Sequence, residues 1–274
     1  QVRVAVAEPQ RNVQQDPNES PGVRLLRETR DRRIEEIIGG NAELSRLRDA
    51  GAWMSPDERQ ALARSIAEVD EFARATGRTQ ERDRMLTQLA DSVRGPRTRD
   101  DGLIEFPLHP QYVGEDVNGY GNWLHRARNT LDLPGESYRT GDVPAQPVRY
   151  LSADEQRNAR VHVRNDGTLE YQGASMRDGM YIFVVDSDGN FIAHEWDASN
   201  IGKLHHTSLS GGRPVLMGGE FDVSGGRIVS IQNKSGHFRP DGDAFEQFLG
   251  ELGSKNGALR NAVATRLSLE QRNN

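Results

Sequence analysis

The chain has 274 residues, no cysteine and a formal net charge of −6, with 35% hydrophobic and 28% charged residues. Its length allows one large domain or two smaller ones, and the absence of cysteine excludes disulfides, thiolate metal sites and a cysteine nucleophile. The acidic balance excludes a general electrostatic attraction to nucleic acid or to an anionic membrane. No apolar run approaches the ~20 residues of a membrane span, so we expect no such segment.

Signals for helix starts dominate the first third of the chain. A serine cap followed by proline occurs at Ser20-Pro21 and again at Ser55-Pro56, where Glu58 completes a capping box. Apolar residues recur at helical spacing after both caps, and Gly77 is placed to end the second of these helices. Residues 1–95 are therefore predicted to be a helical region. Its many arginines and glutamates indicate a solvated face, with a binding surface as the alternative.

Prolines punctuate residues 96–147, where one helix is predicted near 123–131. From residue 148 onwards the chain alternates β-forming runs with turn residues, which predicts short antiparallel strands. The predicted strands are 161–163, 168–171, 180–185, 191–194, 215–217, 220–223 and 227–231, followed by helices at 243–252 and 259–269. Helices before strands predict an α+β fold. We expect three parts: a helical region at 1–95, a transition at 96–147 and an α+β module at 148–274.

Residues 186–190 superficially resemble a calcium-binding loop. The match fails because Phe191 stands where the loop requires glycine, and Asp197 stands where it requires glutamate. A plain hairpin turn is therefore predicted here.

A polar cluster within residues 204–240 is the strongest candidate site. Histidine, serine, glutamate and arginine can transfer protons or bind an anion, and nearby glycines allow sharp turns or close backbone approach. If His205 and His206 lie on a strand, only one of them can face the site. The alternative is structural, with histidines and serines bridging backbone segments by hydrogen bonds. The candidate residues are His205, His206, Ser208, Glu220, Ser235, His237 and Arg239.

The segments that carry these residues also resemble a known module. They are Tyr181–Phe191, His205-His206-Thr207-Ser208-Leu209-Ser210-Gly211-Gly212, Gly218-Gly219-Glu220 and Ser235-Gly236-His237-Phe238-Arg239-Pro240. They resemble a C-terminal module of bacterial polymorphic toxins and secreted effectors, and also the conserved region of plant IQ-motif calmodulin-binding proteins. The resemblance covers about residues 180–252. The sequence contains no IQ-type helix, so calmodulin binding is not carried over.

The toxin resemblance implies a protein secreted from bacteria or delivered into a target cell, where it acts in virulence on a protein of a host or competitor cell. It implies group transfer of the ADP-ribosyl type, with NAD or another nucleotide as a possible cosubstrate and no metal. Arg149 would lie on the first strand, residues 206–208 would form the serine–threonine–serine strand, and Glu220 would be the catalytic glutamate. The catalytic set would be His205, His206, Glu220 and His237, and the substrate-binding set Arg149, Ser208, Ser235 and Arg239.

The alternative function is a non-catalytic interaction module that binds a host or partner protein. Residues 235–240 follow a predicted strand and precede a predicted helix, so we expect His237 and Arg239 to share a cleft with His205 or His206 that accepts a phosphate-bearing ligand. The alternative pairs Arg239 with a carboxylate such as Asp241 or Asp243 and bonds His237 to the backbone. If His237 shares a site with His205 or His206, their side chains must lie within about 12 Å of each other, because direct partners sit near 3 Å.

Overall fold

The structure is a computed structural model, and it describes residues 19–50, 54–118, 148–196 and 204–255. The predicted helices at 123–131 and 259–269 lie outside these residues. Eight α-helices occur in the described part, and none of them is both long and apolar enough to cross a membrane. They are α1 Pro21–Gly40, α2 Ala42–Ala50, α3 Pro56–Thr76, α4 Thr79–Arg94, α5 Glu115–Asn118, α6 Ala153–Asn158, α7 His206–Ser210 and α8 Gly242–Lys255.

Nine strands form three antiparallel sheets, with orders β1-β2, β3-β4-β5 and β7-β6-β8-β9. Helices precede these sheets and flank them, which confirms the predicted α+β fold. The strands are β1 Arg97–Thr98, β2 Ile104–Glu105, β3 Val161–Val163, β4 Leu169–Tyr171, β5 Ala174–Ser175, β6 Gly179–Asp186, β7 Phe191–Glu195, β8 Val215–Ser224 and β9 Arg227–Gln232.

The helix starts follow the local sequence signals. The Ser55 hydroxyl accepts the Glu58 backbone N–H at 3.2 Å, and the Glu58 carboxylate accepts the Ser55 N–H at 2.5 Å, so the capping box at α3 is confirmed. Gly77 ends α3 with φ of 70°, a left-handed conformation that glycine adopts without a steric penalty. The Ser20 hydroxyl likewise caps α1 through the Val23 N–H.

A buried carboxylate joins three of the first four helices. Asp70 of α3 is only 2% exposed and accepts hydrogen bonds from three guanidinium groups. Arg33 of α1 donates at 3.0 and 3.3 Å, Arg74 of α3 at 3.1 Å and Arg82 of α4 at 3.0 Å. This arrangement fixes α1 and α4 against α3, next to the apolar contacts of Ile66, which is fully buried.

The four-stranded sheet is centred on β6 and β8, which pair along almost their full length. Phe183 stacks on Phe191 at 4.9 Å between ring centroids and meets Phe221 edge-on at 5.8 Å. The turn between β6 and β7 is a hairpin, as predicted, in which the Asp186 carboxylate accepts the backbone N–H of Asn190 at 2.8 Å.

Two details of the large sheet differ from the sequence prediction. The predicted strands 215–217 and 220–223 are one strand, because Gly218 and Gly219 continue the β8 ladder. On β9, the register shift against β8 leaves Val229 without a partner, so it is a bulge residue and is 53% exposed. Ile228 and Ile231 can therefore both face the core, although they are three residues apart.

Residues 97–118 connect the helices to the large sheet. Phe106 pairs with Val215 at the start of β8, and its N–H donates to the Val215 carbonyl at 2.7 Å. Buried residues of this interval, including Leu108 and Val113, belong to a continuous apolar cluster with residues of α3, α4 and the sheet. The division at residues 1–95, 96–147 and 148–274 stays a prediction about separable units.

Candidate functional site

The two adjacent histidines lie at the start of a helix. His205 immediately precedes α7, and its N–H donates to the Ser208 hydroxyl at 2.9 Å. The transferase resemblance placed residues 206–208 on a strand, and this expectation is wrong because they lie in α7. Successive helical side chains diverge by about 100°, whereas strand side chains point to opposite faces. Both histidines can consequently lie on the same side of the molecule.

His237 lies close to both of these histidines, on the turn between β9 and α8. Its ring centroid is 5.3 Å from that of His205 and 6.0 Å from that of His206. The separation expected for a shared site is thus met. The His237 carbonyl accepts the His109 N–H at 2.8 Å, and Tyr112 packs on the His237 ring at 4.2 Å between centroids.

Glu115 of α5 is a member of the cluster that the sequence analysis missed. Its side chain is fully buried, and one carboxyl oxygen lies 3.5 Å from His237 Nε2. The backbone carbonyl of Glu115 accepts the Val148 N–H at 3.0 Å, which brings residue 148 next to α5. Glu115 is about 90 residues from α7 in the sequence and stands in a proline-rich interval, so no local pattern predicted it.

The cluster is buried except for His205, which is half-buried, and it contains several hydroxyl groups. Thr207 and Ser208 are fully buried, and Ser235 is 6% exposed. His206 is 8% exposed, and its Nε2 donates to the Gly219 carbonyl of β8 at 2.9 Å. We refer to Glu115, His205, His206, Thr207, Ser208, Ser235 and His237 together as the histidine cluster.

Burial displaces the protonation equilibria of the histidine cluster. Burial raises the pKa of Glu115 to about 8, against smaller opposing contributions from the Thr207 hydroxyl and from His205. Burial lowers the pKa of His206 and of His237 to about 3, and that of His205 to about 4. At neutral pH the three imidazoles are therefore neutral, and the Glu115 carboxyl is mostly protonated. The cluster carries little net charge, as expected for a buried site without a strong ionic partner.

The other candidate residues have partners outside the cluster. Glu220 of β8 pairs with Lys234 at 3.4 Å and accepts a hydrogen bond from Gln232 at 3.2 Å. Arg239 donates through Nε to the Gly236 carbonyl at 3.2 Å and has φ of 48°, and its charge contributes to lowering the pKa of His237. Arg239 is therefore near the cluster, but the structure gives it no carboxylate partner at Asp241.

Arg149 is not positioned as the transferase resemblance implied. Residues 148–152 form no strand, and Arg149 Nη1 donates to the Glu155 carboxylate at 2.5 Å on the exposed surface. Ser152 instead caps α6, in a capping box with Glu155. The Ser-x-x-Glu spacing at 152–155 is a helix-start signal that could have been recognised from the sequence.

The geometry limits what the cluster can do chemically. In the described residues, no group of three carboxylate or imidazole side chains is arranged to hold a metal ion. A neutral carboxyl group beside neutral imidazoles can exchange hydrogen bonds or protons, but only with a group that reaches a buried position. The cluster also brings together side chains from α5, α7 and the β9–α8 turn.

Comparison with known proteins identifies the region that contains most of this cluster. Residues 157–245, less than half of the chain, match the family model of the IQ motif-containing protein middle domain. The chain is similar to the IQ domain-containing protein IQM3 of Arabidopsis thaliana, with 25% identity over 129 residues. That alignment covers 44% of this chain and only 28% of the plant protein. No solved structure matches the chain.

These comparisons correct part of the sequence analysis. They confirm the resemblance to plant IQ-motif proteins, whereas nothing in them supports the resemblance to bacterial toxins. The interpretation as a toxin, virulence effector or transferase is wrong, because the similarity is to a plant IQ domain-containing protein. The expected location, secreted from bacteria or delivered into a target cell, is contradicted by the same similarity.

Proposed function

We propose that this chain is a non-catalytic module that binds a partner protein, and that the histidine cluster is part of its structural interior. The observation that carries the proposal is the burial of the cluster: Glu115 is 0% exposed, and His237 is 7% exposed. A reaction centre must admit a substrate within hydrogen-bonding distance of its acid and base. Here His206 donates to the Gly219 carbonyl, and a Glu115 carboxyl oxygen lies 3.5 Å from His237 Nε2, so both groups face other parts of the protein.

The similarity to IQ motif-containing proteins supports protein binding as the general function. Because this sequence contains no IQ-type helix, calmodulin is not the partner that we propose. The partner is a protein that docks on the surface of the module and leaves chemically unchanged.

One observation favours a second candidate, in which the cluster transfers protons. A buried carboxyl group with its pKa raised to about 8, beside imidazoles with lowered pKa values, is a pattern that occurs at catalytic sites. In that case Glu115 and His237 would be the acid and base, with His205 adjacent. Structural ion networks and buried hydrogen-bonded groups produce similar displacements, so the pKa pattern alone does not decide between the candidates.

Unfolding of His237→Ala in urea separates the two candidates. If the cluster is structural, the variant loses about 1–3 kcal/mol, because Glu115 is left buried without its neighbour. The matched control is His162→Ala on β3, where the side chain is exposed and the change should stay within about 0.5 kcal/mol. An unfolding free energy equal to that of wild type in His237→Ala would contradict the structural role.

A second measurement tests protein binding itself. The full chain, carrying a photo-crosslinker at an exposed position, should capture a protein saturably. The intact mass of that protein after release should be unchanged. A covalent mass change in the captured protein that requires His237 would overturn the proposal in favour of catalysis.

A further inference from the structure

The outward face of the sheet formed by β3, β4 and β5 presents a polar groove at the start of the region that matches the IQ-motif family. The register places His162 of β3 opposite Glu170 of β4. Because strand side chains alternate, these two point away from the core that contains Val161 and Leu169. The groove has a volume of about 570 Å³ and is lined by Arg157, Asn158, Arg160, His162, Glu170 and Gln172.

The charges in this groove are not balanced. Arg157 pairs with Asp154, which is 81% exposed, and Arg164 pairs with Glu170 at 2.9 Å. In the part of the chain that the structure describes, no carboxylate lies within salt-bridge distance of Arg160. The lining of the groove therefore carries two guanidinium groups, of Arg157 and Arg160, against one carboxylate, of Glu170, on a chain whose net charge is −6. A local excess of positive charge on an acidic protein selects for an anionic partner.

A tight turn places the side chain of Gln172 at the edge of the groove. Gln172 and Gly173 form the two-residue turn between β4 and β5, with φ of 53° and 77°. Positive φ at both positions is typical of a type I′ turn, which favours asparagine, aspartate or glycine at its first position. Glutamine is a less favourable choice there, and its side chain hydrogen-bonds to Tyr171 at the edge of the groove.

We propose that this groove binds an acidic segment of the partner protein, with a carboxylate of that segment paired to Arg160. The guanidinium fork suits a carboxylate, which it can bind with two parallel hydrogen bonds. A groove of about 570 Å³ is in the range of ligand-sized sites and is far larger than a single phosphate ion requires. An extended peptide with several acidic side chains therefore fits both the charge and the size. This inference rests on the proposed function as a protein-binding module.

Fluorescence anisotropy of a labelled hexaglutamate peptide with the full chain tests the proposal. We expect saturable binding that weakens as salt is added, and no binding of the matching hexaglutamine peptide. Arg160→Gln should weaken binding about fivefold to tenfold, because a charge-assisted pair is lost. Glu170→Gln should strengthen it by about twofold to fivefold, because a competing carboxylate is removed.

The control is Arg32→Gln, which removes an exposed arginine from α1 and should leave the affinity within twofold of wild type. Equal weakening by Arg32→Gln and Arg160→Gln would overturn the proposal, since it would indicate general electrostatic attraction. Absence of hexaglutamate binding by the wild-type chain would also overturn it. Displacement of the peptide by millimolar inorganic phosphate, at matched ionic strength, would assign a small-anion site instead.

These outcomes are separable from failure of the proposed function. The unfolding free energies of the Arg160 and Glu170 variants should equal that of wild type, so that any change in affinity reports binding. If hexaglutamate does not bind while the crosslinked partner is still captured, the groove assignment fails and the interaction module stands. If a chemically altered partner is found, the proposed function fails regardless of the groove.

Discussion

Two buried carboxyl groups in this protein have opposite protonation behaviour, and the comparison shows how each region is built. Asp70 in the helical region is 2% exposed and Glu115 in the histidine cluster is 0% exposed. Burial acts to raise the pKa of Asp70, but hydrogen bonds from Arg33 and Arg82 more than offset it, so the pKa is lowered. Burial raises the pKa of Glu115 to about 8, because its neighbours are neutral imidazoles and a hydroxyl.

The difference follows from what surrounds each carboxyl group. The helical region supplies guanidinium groups that cannot lose their charge, so the carboxylate stays ionised and becomes a fixed link between helices. The histidine cluster supplies groups that can be neutral, so the whole cluster avoids charge when it is buried. Charge pairing thus keeps the Asp70 carboxylate ionised, whereas burial among neutral groups keeps the Glu115 carboxyl protonated.

The largest expected effect comes from removing the ionised carboxylate. Asp70→Ala should lower the free energy of unfolding by about 3 kcal/mol, because three guanidinium groups lose their shared partner. Asp49→Ala is the control, since Asp49 is 68% exposed and should contribute less than about 0.5 kcal/mol. Chemical denaturation of both variants checks this, and similar small losses in both would remove the contrast with the histidine cluster.

The second effect concerns pH and Glu115. Because its pKa is raised from 4.5 to about 8, the folded protein holds a proton that the unfolded chain releases. The free energy of unfolding should therefore fall as pH rises from about 4.5 to about 8, by up to about 1.4 kcal/mol per pH unit from Glu115 alone. Between pH 6.5 and 8, the free energy of unfolding of the wild type should fall by about 2 kcal/mol, whereas that of Glu115→Gln should not show this fall. Parallel pH profiles for the two proteins would contradict a protonated, buried Glu115.

The buried histidines should make the free energy of unfolding rise with pH in the acidic range, which is the opposite of the effect of Glu115. Their pKa values are lowered from 6.5 to about 3 for His206 and His237, so the unfolded chain binds protons that the folded chain does not. Their contribution to stability is present above pH 6.5 and is lost as pH falls towards 3. Together with Glu115, this predicts maximal stability near pH 6.5, measurable by thermal melts across pH 4–9. A flat profile over pH 4.5–6.5 would contradict the burial of these imidazoles in neutral form.

The smallest effect tests the local signals of the helical region. Ser55→Ala should cost about 1 kcal/mol, because the capping box at α3 is lost. Ser20→Ala should cost less, since the Ser20 hydroxyl accepts only a long bond of 3.4 Å at the exposed start of α1. Urea denaturation ranks the two, and a larger loss for Ser20→Ala would show that cap geometry does not determine their contributions.

The same contrast explains which features were predictable from the sequence. The caps at Ser20 and Ser55, the end of α3 at Gly77 and the β6–β7 hairpin depend on neighbouring residues, and the sequence pattern predicted them. The histidine cluster depends on contacts between distant segments, so Glu115 had no local signal. A shared site of His237 with His205 or His206 was predicted from the position of residues 235–240 between a strand and a helix, whereas the chemical role of these histidines was not.

Two predictions about secondary structure failed, in β8 and in α7. Gly218-Gly219 was interpreted as a break between strands, but β8 is continuous and needs glycine at 219. A Cβ atom there would lie 1.9 Å from the Gln232 carbonyl oxygen. Residues 206–208 were placed on a strand only through the transferase resemblance, whereas they lie in the five-residue helix α7. The close approach of Gln232 to Gly219 is a tertiary contact, whereas α7 begins with the local hydrogen bond from the His205 N–H to the Ser208 hydroxyl.

The central claim is that the histidine cluster is a closed, neutral interior, and NMR of the histidine rings tests it most directly. With imidazole nitrogens labelled in the full chain, the signals of His206 and His237 should stay those of neutral rings from pH 7.5 down to pH 5, because burial lowers their pKa values to about 3. Free histidine in the same buffer provides the reference for a solvated ring. Titration of either buried ring with a midpoint near 6.5 would contradict the account, since it would show an imidazole accessible to water and able to exchange protons with a ligand.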